Sequence, residues 1–210
     1  MPSAQDLAPA SVANLAALGQ LWDEHQSRLL AMLERRIDPK LRQRMSAEEV
    51  LHNTFLDAAR KWPQYQRSSA MKPYPWLYGL ALDRLIEEYR KHVRPSNGLG
   101  RDLPLGDDCS DLFGGQLRDA GTGPLTAAQR AEVADRVRHV LGLLSEADRD
   151  ILTMSYFDQL STQEICDVLN GRVTGDPPVN VNALNVRLSR ARDRMQKIWT
   201  KLYGESESPP

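Results

Sequence analysis

Between Leu160 and Lys201 the chain reads LSTQEICDVL, then NGRVTGDPPV, then NVNALNVRLSRARDRMQKIWTK, and each piece permits few local structures. In the first, Ser161 is a candidate N-cap, and Glu164 three residues on completes a capping-box pattern. Ile165, Val168 and Leu169 recur at i, i+3 and i+4, one face of a helix. Gly171, Gly175, Pro177 and Pro178 make the second piece a turn or loop. The third piece returns to helical spacing with Leu184, Leu188, Ala191, Met195 and Ile198, and Asn180 or Asn182 can cap it. Its other faces carry Arg187, Arg190, Arg192, Arg194, Lys197 and Lys201 against one acid, Asp193.

A short helix, a turn and a basic second helix suggest a helix-turn-helix, which lays its second helix in the major groove of DNA. Arginine bonds guanine bidentately or clamps phosphate, and Asn182, Asn185 and Ser189 suit base edges or phosphate. A solvated basic face on a terminal helix is the plainer alternative; the capped helix ahead of it favours DNA binding. Usual turns of this motif are about 3–4 residues, so Gly171 to Pro178 is read as an insertion that loops out.

The chain has 210 residues, room for one or two small domains. Its 27 basic residues are balanced by 28 acidic ones, so nucleic-acid affinity must come from local patches rather than an overall field. Cys109 and Cys166 are far apart, with no CxxC and no paired histidines nearby. That argues against a structural metal or a disulfide framework and for a reducing cytoplasm. No apolar run reaches the length of a membrane span, and the N-terminus lacks a basic start and an apolar signal core. Phosphate loop, nucleophile elbow, metal-ligand histidine pair and dinucleotide fingerprint are all missing. An enzyme is therefore not expected, nor a catalytic residue, metal or cofactor; His25, His52, His92 and His139 read as surface or packing residues.

From the N-terminus, residues 1–10 are expected to be disordered, and a helix runs from about Ser11 to Arg36 with Leu15, Leu18, Leu21, Trp22, Leu29 and Leu33 at helical spacing. Asp38-Pro39 breaks it. A second helix spans Ser46 to Trp62, opened by a Ser46/Glu49 capping box and ended by Pro63. Gln64 to Pro75 reads as a loop that mixes Tyr65 and Tyr74 with Arg67 and Lys72. Such a loop suits stacking on single-stranded bases; its composition fits a surface loop whose aromatics cover a hydrophobic edge even better. A third helix spans Trp76 to Val93, burying Leu77, Leu80, Ala81, Leu85 and Ile86. Pro95 to Pro124 has no periodicity, many glycines and an acidic knot, and is expected to be a flexible linker. Helices over Thr126–Leu144 and from Ser145 onward precede the helix-turn-helix, and the tail is expected to be disordered. The expected fold is all-α. A three-helix domain (residues 11–94) and a four-helix domain (125–203) flank the linker (95–124), with disordered ends at 1–10 and 204–210.

The order of these pieces resembles bacterial RNA polymerase sigma factors of the extracytoplasmic-function (ECF) type. RMSAEEVLHNTFLDAARKW resembles the region 2 helix that docks on polymerase, and PWLYGLALDRLIEEYRKH the promoter-reading helix. LLSEADRDILTMSYFDQLSTQEICDVL followed by NVRLSRARDRM resembles region 4. The resemblance covers roughly residues 15–95 and 127–200.

It implies a subunit that directs core RNA polymerase to promoters and helps melt them, in the cytoplasm. Glu48, Glu49, His52 and Asn53 match the surface for the β′ clamp helices, although family members commonly carry Gln-Glu at His52-Asn53 and Asp at Ser46. The loop from Arg67 to Tyr74, with Lys72, matches the element that captures a flipped −10 base, and the helix from Trp76 onward, with Asp83, Arg84, Glu87, Arg90 and Lys91, matches the −10 reader. Asn180, Asn182, Asn185, Arg187, Ser189, Arg190, Arg192 and Arg194 match the −35 reader. The implied partners are core polymerase (β′ clamp helices and β flap) and promoter DNA. The resemblance also admits an anti-sigma factor; membrane insertion is not expected. The alternative is a stand-alone dimeric helix-turn-helix regulator with an N-terminal helical sensing domain.

Overall fold

The computed structural model describes residues 9–37, 41–42, 44–68, 71–92, 127–172 and 178–204. The expected linker, residues 1–8 and residues 205–210 lie outside the described residues. Among the described residues, seven α-helices follow in chain order: α1 Pro9–Arg36, α2 Ala47–Ser68, α3 Pro73–His92, α4 Ala127–Gly142, α5 Glu146–Leu152, α6 Thr162–Arg172 and α7 Val181–Tyr203. There is no strand among the described residues. A π-helical turn, Thr153–Phe157, continues α5.

The N-terminal half packs α1, α2 and α3 together. Leu18, Trp22, Leu29 and Leu33 of α1 are buried at the expected spacing, as are Val50, Ala58 and Trp62 of α2. The C-terminal half packs α4, α5 and α6 around α7 through Val137, Leu141, Ile151, Ile165, Leu184, Leu188 and Trp199. Arg149 closes the end of α4 by donating to the carbonyls of Leu141, Gly142 and Leu144.

Helix ends follow the expected caps. Ser161 and Glu164 form a reciprocal box: the Ser161 N–H and Oγ–H donate to Glu164 Oε2 at 2.9 and 2.8 Å, and the Glu164 N–H donates to Ser161 Oγ at 3.3 Å. At α2 the Glu49 N–H donates to Ser46 Oγ, at α5 the Asp148 N–H to Ser145 Oγ, and at α7 the Ala183 N–H to Asn180 Oδ1.

Four boundaries differ notably from expectation. α1 begins at Pro9, inside the segment expected to be disordered. α2 does not stop at Pro63 but continues to Ser68, and α3 begins at Pro73. The expected loop is thus mostly helix. An interior proline costs about 3 kcal/mol, and here distant partners offset it. Tyr65 stacks between Trp62 (5.4 Å) and Trp76 (4.2 Å), its hydroxyl donates to the Met71 carbonyl at 2.7 Å, and Arg67 Nε donates to the Pro63 carbonyl. Finally, α6 runs through Gly171 and Arg172. The Asn170 side chain brackets Val179, donating to its carbonyl at 3.0 Å and accepting from its N–H at 2.7 Å. Both sides of the insertion are thereby held together at its base.

The two halves also pack on each other. Residues Leu77 to Leu82 of α3 are all buried, in an unbroken run. A helix buried all round needs partners on every side. α1 and α2 cover part of α3, and α6 of the C-terminal half covers the rest. Replacing Pro63 by Ala restores a backbone donor inside α2 and should raise stability by about 1–3 kcal/mol, read by urea unfolding of the whole chain. A loss of stability would return the segment to a loop.

Candidate nucleic-acid and polymerase interfaces

The apolar stripe of α7 faces the core, which turns its basic side outward. All eight expected −35 residues, Asn180, Asn182, Asn185, Arg187, Ser189, Arg190, Arg192 and Arg194, are exposed. Their positions on the helix are not equivalent. Within the N-terminal half of the helix, at about 100° per residue, Asn182, Val186, Ser189 and Arg190 point farthest from the core. Arg187 and Arg194 flank them on one side, Asn185 and Arg192 on the other. The flanks are held by the protein itself. Asp148, buried at the start of α5, pairs with Arg194 at 2.7 Å and more loosely with Arg187 at 3.9 Å. Arg192 reaches the Tyr156 hydroxyl at 3.4 Å, and Asn185 Oδ1 accepts from Thr162 Oγ1 at 3.2 Å. Asn180 is spent on the cap. Arg190 carries no ion pair among the described residues. The outward face of α7 is therefore free of acids over its N-terminal half, before Asp193 brings a negative charge to it.

In the N-terminal half, Glu48, Glu49 and His52 are exposed on the first turns of α2, and Asn53 is half-buried beside them. The two acids also suit the positive end of the helix dipole.

The expected −10 residues are divided by the structure. Arg67 and Lys72 are exposed, and Trp76 is half-buried in the aromatic stack. Tyr74 is a correction: it is only 4% exposed and lies on the first turn of α3 rather than in a loop. His25 packs against its ring edge at 5.3 Å and the Arg28 guanidinium sits 3.9 Å above its face. Burial pushes its phenol up to about 12, against the pull of Arg28. It has no open face for a base. The reading in which these aromatics cover a hydrophobic edge describes Tyr74 and Tyr65. Asp83 is exposed but bonded by Arg172 at 2.9 Å; Arg84 pairs with Asp57 and with Glu87; Lys91 pairs with Glu88 at 2.9 Å and Glu87 at 3.5 Å. Arg90 is exposed on the same helix.

Sequence reasoning missed the cleft between the halves. It encloses about 360 Å³, with Tyr65, Trp76 and Asp83 on one wall and Val168, Gly171 and Arg172 on the other. It also missed Asp148, whose only local signal was its place in a cap sequence. Among the described residues, no cluster of His, Cys, Asp or Glu is arranged to hold a metal ion, and no helix is long and apolar enough to cross a membrane.

With this geometry in place, comparison with known proteins is specific. Residues 21–94 match the family model for sigma-70 region 2, and residues 134–195 match that for sigma-70 region 4. The ECF RNA polymerase sigma factor SigM of Bacillus subtilis is 25% identical over 157 residues, covering 74% of this chain and 80% of that protein. The RNA polymerase sigma-H factor of Pseudomonas aeruginosa is 24% identical over 185 residues, covering 87% and 86%. Among solved structures, CnrH in complex with the cytosolic domain of CnrY shares the fold at 19% identity and a TM-score of 0.52, covering 91% of this chain and 93% of that one. The chain belongs to the sigma-70 family of RNA polymerase sigma factors, as a member of the ECF type.

The capping box gives a pH test. Burial pushes the Glu164 carboxyl up, but the two Ser161 hydrogen bonds outweigh it, aided by Arg28 and Lys72, and hold it below the ordinary glutamate value. A carboxyl lowered in the folded state stabilises above the unfolded pKa, about 4.3, and that contribution is lost as pH falls through the lowered value. Glu164→Gln should therefore be less stable than the wild type near neutral pH. In thermal melts across the acid range, the gap should close as the pH falls below that of free glutamate. A gap that persists unchanged at low pH would show that the box does not work through the carboxylate.

Proposed function

We propose that this sigma factor divides promoter recognition between its two halves as follows. Glu48, Glu49, His52 and Asn53 dock region 2 on the β′ clamp helices of core polymerase. Arg67, Lys72, Trp76 and the polar side of α3, with Asp83, Arg84, Glu87, Arg90 and Lys91, read and open the −10 element. The N-terminal half of α7 enters the major groove of the −35 element, where Asn182, Ser189 and Arg190 meet bases or phosphates and Arg187 and Arg194 support them. Region 4 also docks on the β flap.

The observation that carries this reading is the exposed, arginine-rich face of α7 on a capped helix-turn-helix, joined to a region 2 helix that presents acids and amides to solvent. Phosphate contacts position such a helix and base contacts specify it. The protein does no covalent chemistry of its own in this reading, and it works where core polymerase works, in the cytoplasm. CnrH is seen with the cytosolic domain of another protein, CnrY. An inhibitory protein partner, an anti-sigma factor, is proposed for this chain on that footing.

Arg187→Ala with Arg190→Ala should lower −35-dependent transcription by about 10- to 100-fold, since each good base contact is worth about 1–3 kcal/mol, while co-elution with core polymerase is kept. Glu49→Ala with Asn53→Ala should do the reverse, losing co-elution. An exchange of these two phenotypes would overturn the division of labour between the halves.

A further inference from the structure

Val186 of α7 is 50% exposed and stands where an amphipathic helix places a polar residue. Leu184 and Leu188, two positions to either side, are buried. Two positions are about 200° of turn, so Val186 points almost directly away from both. Helix stability does not account for it. Valine is a poorer helix former than alanine, because its branched Cβ loses freedom against the preceding turn. The same branching has a use at a binding surface. It leaves one strongly preferred rotamer in a helix, so both methyl groups are in place before anything docks.

The neighbours one turn away, at i−4, i+3 and i+4, are Asn182, Ser189 and Arg190, all exposed. They offer an amide, a hydroxyl and a guanidinium, groups suited to base edges and phosphates. Val186 lies among them, about 40° around the helix from Asn182 and Arg190 and about 60° from Ser189. Exposed Ala183 extends the apolar strip. The rotation of this face is fixed from both flanks. Arg194 Nε donates to buried Asp148 at 2.8 Å on one side, and Thr162 Oγ1 donates to Asn185 Oδ1 at 3.2 Å on the other. Turning α7 to bury Val186 would break both bonds.

In the major groove the apolar mark of a base pair is the C5-methyl group of thymine, and apolar side chains read it by contact. We propose that Val186 is a specificity-determining residue that reads a thymine of the −35 element through this methyl group, between the contacts made by Asn182 and Arg190. The proposal rests on the sigma-factor reading. Asn182 and Arg190 are each four residues away, about 6 Å along the helix, and base pairs are about 3.4 Å apart. The thymine therefore lies within about two base pairs of either contact. Such a contact selects sequence and neutralises no phosphate.

The test uses the full chain bound to core RNA polymerase, on a promoter fragment found by mapping the starts that this wild-type holoenzyme makes on genomic DNA. Each −35 thymine, on either strand, is replaced singly by deoxyuridine, which removes the methyl group and keeps the base pairing. One replacement should weaken wild-type binding about fourfold, the worth of one buried carbon group. Val186→Ala and Val186→Ser should no longer distinguish thymine from deoxyuridine at that position, and Val186→Ile should still do so. All variants should keep the salt dependence of the wild type. Val186→Ala should melt no lower than the wild type, which separates lost recognition from lost packing. A wild type indifferent to every replacement, an alanine variant that keeps the distinction, or a changed salt slope would each overturn the contact and leave the sigma reading intact. A wild type that makes no starts with core polymerase would sink the sigma reading, and the thymine contact with it.

Discussion

A carboxylate taken out of water costs several kcal/mol unless cations and donors surround it, and among the described residues Asp158 meets that demand only with groups from the other half of the chain. Its burial, that of Arg36 and that of the Tyr78 hydroxyl are one event. Arg36 keeps its charge because Tyr78 and Asp158 outweigh the burial that opposes it. The Tyr78 phenol is held well above its ordinary range, so it stays a donor to Asp158. The complete burial of α3 from Leu77 to Leu82 follows from the same docking.

Such a cluster is a poor way to add stability and a good way to choose between arrangements. Buried ion pairs roughly break even against apolar packing, but losing one partner is expensive. The junction therefore favours one register of the halves strongly without welding them. The Arg172–Asp83 pair, with Asp83 half exposed, adds little beyond orientation. Within the C-terminal half, Asp148 does for α7 what Asp158 does for the whole chain: a buried acid pulls Arg194 and Arg187 to one flank and leaves Asn182, Ser189 and Arg190 outermost.

Much of this was legible in the sequence because it is local. The Ser161–Glu164 box, the Ser46, Ser145 and Asn180 caps and the stripe of α7 depend on residues three or four apart. What was not legible depends on distant partners. Pro63 stays inside α2 because Tyr65 stacks on Trp76 and bonds Met71. Tyr74 is buried because His25 and Arg28 of α1 close over it. The burial of Tyr78 and Leu82 had a trace in the sequence: α3 is apolar on more sides than a three-helix domain can cover. The spacing of Asp158 to Arg36, 122 residues apart, leaves no such trace.

The most direct test of the account is transcription by purified core RNA polymerase, with and without this protein, on fragmented genomic DNA, with the start sites mapped. The account predicts discrete new starts that share elements at −10 and −35. Absence of new starts, together with failure of the protein to co-elute with core polymerase, would contradict it.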